Sequence, residues 1–191
     1  MSGATSRATS DRRLHFPDPP LRDEVVALRR FRPDDAVVVA RACSDPETKR
    51  WIPFMPDPYR LADAEGFIER TGQGWLTGAA ATFAIADQFD GSLLGSITVH
   101  GPLERRAFVG YWVAPWARRR GVATAALHLV SRWALRELGI VRLALYTLVG
   151  NDASQAAARR CGFAYEGVLR NYDDDGDCVM FSLVPADIAD E

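Results

Sequence analysis

Cysteine is scarce in this chain of 191 residues: Cys43, Cys161 and Cys178 stand far apart and are odd in number. That excludes a disulfide framework. No Cys-x-x-Cys or His/Cys spacing suggests a zinc site, so no metal is expected. The thiols are expected to stay reduced, as in a cytoplasmic protein. Long apolar runs are missing too. No segment approaches the roughly 20 residues of a membrane span, so no membrane partner is expected. The opening stretch "MSGATSRATSDRRLHF" has arginines but no apolar stretch behind them, which is not the pattern of a secretory signal. Charge of one sign is also lacking. A formal net charge of −2 speaks against a general nucleic-acid binder. Two phosphate motifs are absent as well. There is no Gly-Lys-Ser/Thr for a P-loop, and Gly121 stands alone where a dinucleotide fingerprint needs three spaced glycines.

What is present reads as one ordinary globular domain, with 48% hydrophobic and 25% charged residues. Residues 1–20 are polar and small and end in "PDPP". They are expected to form a mobile N-terminal arm ahead of a single domain over 21–191. Arg7, Arg12 and Arg13 in that arm are read as a solvated basic tail rather than a nucleic-acid arm.

The periodicities give an order of elements. "VVALRRF" (25–31) predicts a first strand, and "RPDDA" a helix start running to about Cys43. Prolines break the chain until a helix resumes near Ala62. "ATFAIAD" (81–87) and "LLGSITVH" (93–100), joined by "FDGS", predict a hairpin. "FVGYWVAP" (108–115) is a strand stopped by Pro115. A helix follows over about 121–138, with Val122, Ala125, Ala126, Leu129, Trp133 and Leu138 near the helical period and Gly139 as its stop. "VRLALYTLV" (141–149) is a strand, "NDASQAAARRCG" a short helix, and "FAYEGVLRNY" and "DCVMFSLV" are two last strands around the turn "DDDGD". The strand–helix–strand unit from 108 to 148 predicts a parallel pair inside an otherwise antiparallel sheet.

The segment "PWARRRGVATAAL" (115–127) carries the chemistry. It places three arginines and one glycine at a helix N-terminus, where the dipole already carries excess positive charge. Carboxylates are favoured there and arginines are not, unless the site expects an anion from outside. Arg118, Arg119 and Arg120 are therefore expected to face phosphates. Gly121, Val122, Ala123 and Thr124 are expected to offer backbone N–H groups without an intruding side chain.

Here the chain resembles the GNAT superfamily of N-acetyltransferases, in the branch of the ribosomal-protein alanine acetyltransferases. The superfamily pattern Gln/Arg-x-x-Gly-x-Gly/Ala reads Arg118-Arg119-Arg120-Gly121-Val122-Ala123. "GYWV-P" precedes it, and "NDASQ" and "CGFAYEGVLR" follow at the branch's distances. "LRRFRPDDA", "SDPETKRWIP" and "LLGSITV" also fit, so the likeness covers about 25–184. Arg119 departs from the glycine many relatives carry, which stiffens the loop and makes it more basic.

The resemblance implies an α/β fold: a mixed, mostly antiparallel sheet, flanked by helices, whose central parallel pair splays to admit coenzyme A. It implies acetyl-CoA as cosubstrate and an amine acceptor, either a peptide N-terminus or a small molecule such as an antibiotic, a polyamine or an amino acid. Trp112, Val113 and Ala114 would give backbone contacts to the pantetheine arm, with the thioester near Gly110 and Tyr111. Neighbours on a strand face opposite sides, so one of Tyr111 and Trp112 is expected in the core. Asn151 would bind the same arm, and Ser154 would hydrogen-bond the departing sulfur. Asp173 corresponds to a carboxylate proposed as a base in relatives, although by sequence alone it belongs to a turn. His100 is a second base candidate, and Glu166 a structural residue near Arg170. Asp152 with Gln155 also reads as a capping box. A succinyl donor, a coenzyme A-binding sensor without catalysis, and homodimerisation stay open.

Overall fold

A computed structural model describes residues 14–174 and 176–188. Seven strands form one sheet in the order β1-β2-β3-β4-β5-β7-β6. They are β1 (Val26–Arg29), β2 (Ala80–Asp87), β3 (Leu93–His100), β4 (Arg106–Val113), β5 (Arg142–Leu148), β6 (Ala164–Asp173) and β7 (Gly176–Leu183). Five helices accompany them: α1 (Asp35–Cys43), α2 (Pro46–Trp51), α3 (Leu61–Thr77), α4 (Val122–Glu137) and α5 (Asp152–Arg160). Every pairing is antiparallel except β4 with β5. This is the mixed sheet that the strand–helix–strand reading predicts.

The parallel pair is short. Its register covers only Arg106↔Arg142, Ala107↔Leu143 and Phe108↔Ala144. β4 continues to Val113 on β3, and β5 continues to Leu148 on β7. Beyond Phe108 the two strands therefore hold outer partners but not each other, and the sheet opens in its middle. Gly95 fixes the β3 side of this opening. A Cβ there would lie 2.3 Å from the Trp112 carbonyl oxygen, so only glycine lets β3 approach β4 so closely.

The core lies where α3 and α4 meet the sheet. Phe83 of β2 packs edge-on against Trp75 of α3 and Trp133 of α4, with ring centroids 5.1 and 5.4 Å away. The buried stripe of α4 is Val122, Ala126, Leu127, Val130, Trp133 and Ala134. Ala125, Leu129 and Leu138, expected in that stripe, lie at its margin and are partly buried.

Two expectations change. Of the mobile arm expected over 1–20, residues 1–13 lie outside the described residues. Residues 14–20 are not all free: Leu14 is buried, and the Phe16 ring sits 5.2 Å from both Trp75 and Phe83. Two apolar side chains among polar neighbours suffice to dock this stretch. In addition, α2 forms inside the segment expected to be broken by prolines. Asp45 caps it by accepting the Thr48 N–H at 2.9 Å, and Pro46 occupies its first turn.

Candidate active site

Two helices begin where the diverging strands end. β4 leads into α4 through residues 114–121, and β5 leads into α5 through residues 149–151. The α4 start has no side-chain cap and no acidic residue in its first turn. Arg119 and Gly121 both take left-handed backbone, with φ 60° and 78°. The first helical bond runs from the Ala125 N–H to the Gly121 carbonyl. Among the described residues, the six amides from Arg119 to Thr124 donate no hydrogen bond. Alternating left-handed residues aim successive N–H groups into one concavity, which is a ready receptor for an anion.

The arginine side chains are placed differently from the expectation. Arg118 does not project toward an outside anion. It donates to the carboxylate of Asp45, the N-cap of α2, and, at 2.8 Å, to Thr48 Oγ1 in that helix's first turn. Arg120 donates to Asp87 at 3.1 Å. Carboxylates of the chain itself have claimed both guanidiniums. The Arg120 side chain is half exposed, so its single bond to Asp87 is weak and it can exchange partners. Arg119 makes no hydrogen bond or ion pair among the described residues. The Asp45 carboxyl is raised by burial but lowered more by its bonds to Arg118 and Thr48, leaving it below the usual carboxylate range. α2 also reaches the other arm of the opening: the space beside Gly150 is closed by the Trp51 ring, 3.9 Å from where a Cβ would sit.

Along β4 the backbone polar groups alternate between β3 and the opening. Ala114 is fully engaged elsewhere. Its N–H bonds the Leu94 carbonyl at 2.8 Å, and its carbonyl accepts from Ala117 at 2.9 Å. By the same alternation Trp112 bonds toward Ser96 of β3. The expectation that Trp112, Val113 and Ala114 all face the opening is therefore corrected. Val113 and Tyr111 turn their backbone groups inward, whereas the Trp112 side chain is a buried core aromatic. Nothing lies within 4 Å of where a Gly110 Cβ would be, so that face of β4 is open there.

The α5 start is self-capped. The Asn151 side-chain oxygen accepts the Ser154 N–H at 3.2 Å, so the expected Asp152–Gln155 capping box is replaced by an Asn151 cap. Ser154 Oγ accepts from the Tyr111 hydroxyl at 3.0 Å, which joins α5 to the inner arm of β4. Burial pushes the Tyr111 phenol up to about 12, against the lowering effect of that bond, so the phenol is held as a donor. With its oxygen already accepting, Ser154 keeps its own proton to give.

Asp173 ends β6 opposite Gly176, so it is a strand residue at the hairpin tip. Burial, and then the Asp173 charge, raise the Tyr146 phenol. His100 is exposed at the end of β3, and partial desolvation lowers its imidazole. Glu166 bonds Arg142 at 2.9 Å and Ser182, rather than Arg170. No thiol is activated for acyl transfer: burial pushes Cys43 up to about 12 and raises Cys178, and Cys161 is buried with Sγ 3.3 Å from the Thr124 carbonyl. Among the described residues no group of three or more His, Cys, Asp or Glu could hold a metal, and no helix is long and apolar enough to cross a membrane.

Comparison with known proteins is consistent with this geometry. Residues 26–164 match the family model described as an acetyltransferase (GNAT) domain. YdaF of Bacillus subtilis, provisionally named a ribosomal N-acetyltransferase, is 30% identical over 159 residues, covering 78% of this chain and 83% of YdaF. Mycobacterium smegmatis RimJ, solved with a coenzyme A disulfide, superposes with a TM-score of 0.77 at 25% identity, covering 88% of this chain and 87% of RimJ. The ribosomal-protein-S5-alanine acetyltransferase of Vibrio fischeri shares the fold, with a TM-score of 0.75 at 16% identity, covering 86% of this chain and 96% of its own.

Proposed function

Because the chain belongs to the GNAT acetyltransferase family, we propose that it moves an acetyl group from acetyl-CoA to a primary amine by direct attack. The observation that carries this reading is the run of six unpaired amides from Arg119 to Thr124 beside the opened sheet. Acetyl-CoA brings an anionic pyrophosphate and an extended, amide-bearing arm, and the site has a counterpart for each. The amides and the α4 dipole would hold the pyrophosphate, with Arg119 and an exchanged Arg120 adding charge. The inward edge of β4 at Tyr111 and Val113 would pair with the arm as an added strand. The Asn151 amide nitrogen remains to donate to the same arm.

The chemistry follows from these placements. The amine nitrogen attacks the thioester carbon, and the oxygen takes up negative charge. An inward-facing β4 backbone N–H beside the thioester, not one already paired with the arm, would be the donor for that oxyanion. The intermediate collapses, the carbon–sulfur bond breaks, and Ser154 gives a hydrogen bond or its proton to the leaving sulfur, with Tyr111 re-supplying the Ser154 oxygen. The attacking amine must also lose a proton, and Asp173 is the candidate acceptor. At pH 7 an α-amine with pKa near 7.7–8.0 costs about 1 kcal/mol to deprotonate, whereas a lysine near 10.4 costs about 4.6 kcal/mol. With one weakly placed base, a peptide N-terminus is the better-suited acceptor. YdaF is provisionally named a ribosomal N-acetyltransferase, which supports a protein acceptor as well.

The test is thiol release from acetyl-CoA with two peptides: one with a free N-terminus and no lysine, the other N-blocked with one internal lysine. Faster acylation of the free N-terminus is expected. Faster reaction of the lysine peptide would overturn the acceptor assignment. Reaction with neither, alongside activity on a small amine, would shift the reading to a small-molecule acceptor.

A further inference from the structure

Three aromatic side chains meet on the face of the sheet away from Ser154. Phe108 holds the last paired position of β4, directly beside Ala144. Two residues on along β5, on the same face, stands Tyr146. Its ring lies 6.1 Å from Phe108 at 79° and 5.1 Å from Tyr172 of β6 at 71°. The alternation of β4 puts Phe108 on the side opposite Tyr111, hence opposite the Tyr111–Ser154 bond. The three rings are 39%, 40% and 43% exposed, although side chains of this size are usually covered. They come from three strands, of which β5 and β6 are separated in the sheet by β7, and they converge at the closed end of the opening.

The local charge is selective. Asp173 follows Tyr172 and is near enough for its charge to act on Tyr146. His100 stands opposite Phe108 in the β3–β4 register, and its lowered pKa keeps it mostly neutral at pH 7. The basic residues of the paired end are Arg106 and Arg142, and Arg142 is held by Glu166 at 2.9 Å. Ring faces at near right angles, beside a carboxylate, suit a small cation and not an anion. Three rings are also far smaller than the roughly 800 Å² per partner of a stable protein interface.

We propose that Phe108, Tyr146 and Tyr172, together with the Asp173 carboxylate, form a subsite that receives the ammonium form of the acceptor amine. The inference rests on the acetyl-transfer reading for what the cation is, but not for its being a cation. The amine arrives protonated from water, is held at the rings, and gives its proton to Asp173 as it moves toward the thioester. The acceptor and the leaving sulfur then lie on opposite faces of the opening. This arrangement assigns recognition of the acceptor's positive charge to residues of β4, β5 and β6.

The experiment uses tetramethylammonium, a cation that cannot be acylated, and tert-butyl alcohol as its neutral counterpart of similar shape. Aromatic NMR signals of Phe108, Tyr146 and Tyr172 are followed in the full chain. Tetramethylammonium is expected to shift them, to compete with the amine substrate and to leave the KM for acetyl-CoA unchanged. Tyr146→Leu is expected to raise the amine KM about two- to thirtyfold, and Tyr146→Phe, which keeps the ring, much less. Equal shifts with the alcohol, no shift at all, or an unchanged amine KM in Tyr146→Leu would overturn the proposal. So would sedimentation showing that a second copy covers the rings and is released by Tyr172→Arg. Tetramethylammonium binding without any acetyl transfer would instead overturn the transfer reading and leave the cation subsite standing.

Discussion

The two helix starts at the opening differ in how their free amides are satisfied. α5 completes its own first turn, with Asn151 accepting from Ser154 and Asp152 adding the acidic charge a helix N-terminus favours. α4 has neither a capping side chain nor an acid, and its loop is held in left-handed turns at Arg119 and Gly121. A helix built for stability alone would have the α5 solution at both ends. The difference fits the proposal that the α4 start receives a ligand, to which α5 would offer a side chain, Ser154. Arg118 fits this division: it braces the loop against α2 and leaves the anion to the backbone.

The largest effect should come from breaking the α4 side. Gly121→Glu puts a negative charge where the pyrophosphate is expected. Wild type at 100-fold excess of acetyl-CoA over Kd should gain about 2.7 kcal/mol, or about 5–11 °C in Tm for a chain of this size. The variant should gain nothing. Gly121→Ala carries the same backbone strain without the charge and should retain most of the ligand-induced shift. If Gly121→Glu binds with unchanged affinity, the cofactor is misplaced.

The next effect is on the α5 side. Ser154→Ala should lower kcat about 10²–10⁴-fold with little change in acetyl-CoA affinity. Asn151 keeps the cap, but the buried Tyr111 hydroxyl loses its acceptor, so a stability loss of about 1–3 kcal/mol should accompany the loss of turnover. A loss of stability without a selective loss of turnover would make Ser154 a structural residue. Asn151→Ala should act at the cap, costing about 1 kcal/mol, or about 2–4 °C, while the Arg119–Thr124 amides keep their response to ligand.

The smallest effect concerns the brace. Arg118→Met should destabilise the chain by less than about 1 kcal/mol at pH 7, because the pair with Asp45 is partly exposed. The Asp45 pKa is lowered in the fold, so the pair's contribution is complete above the unfolded carboxylate value near 3.9 and fades as pH falls through the folded value. Denaturant titrations of both proteins should therefore begin to converge below about pH 4 and coincide once the pH is under the folded Asp45 value. A gap that persists there would assign the effect to packing rather than charge.

Much of this was legible in the sequence. The alternation in 81–87 and 93–100, the strand–helix–strand unit and the glycine at 121 all depend on neighbours close in the chain, and the structure has them. What was hidden depends on distant partners. Asp45 lies 73 positions from Arg118 and Asp87 lies 33 from Arg120, so no local pattern shows that these guanidiniums are engaged. Which β4 residues face the opening is set by the register with β3, which local spacing does not reveal. α2 was masked by its prolines, although Asp45-Pro46 with Glu47 is itself a helix-start signature. The ring cluster of Phe108, Tyr146 and Tyr172 exists only once β4, β5 and β6 are brought together.

On the proposed reading, the amides of Arg119 to Thr124 are held open for the phosphates of acetyl-CoA. Amide NMR of the full chain with increasing coenzyme A tests it residue by residue. Large shifts and new exchange protection are expected across 119–124, while the Ser154 amide, already bonded to Asn151, keeps its exchange rate. Unchanged signals across 119–124 at saturating coenzyme A would contradict it.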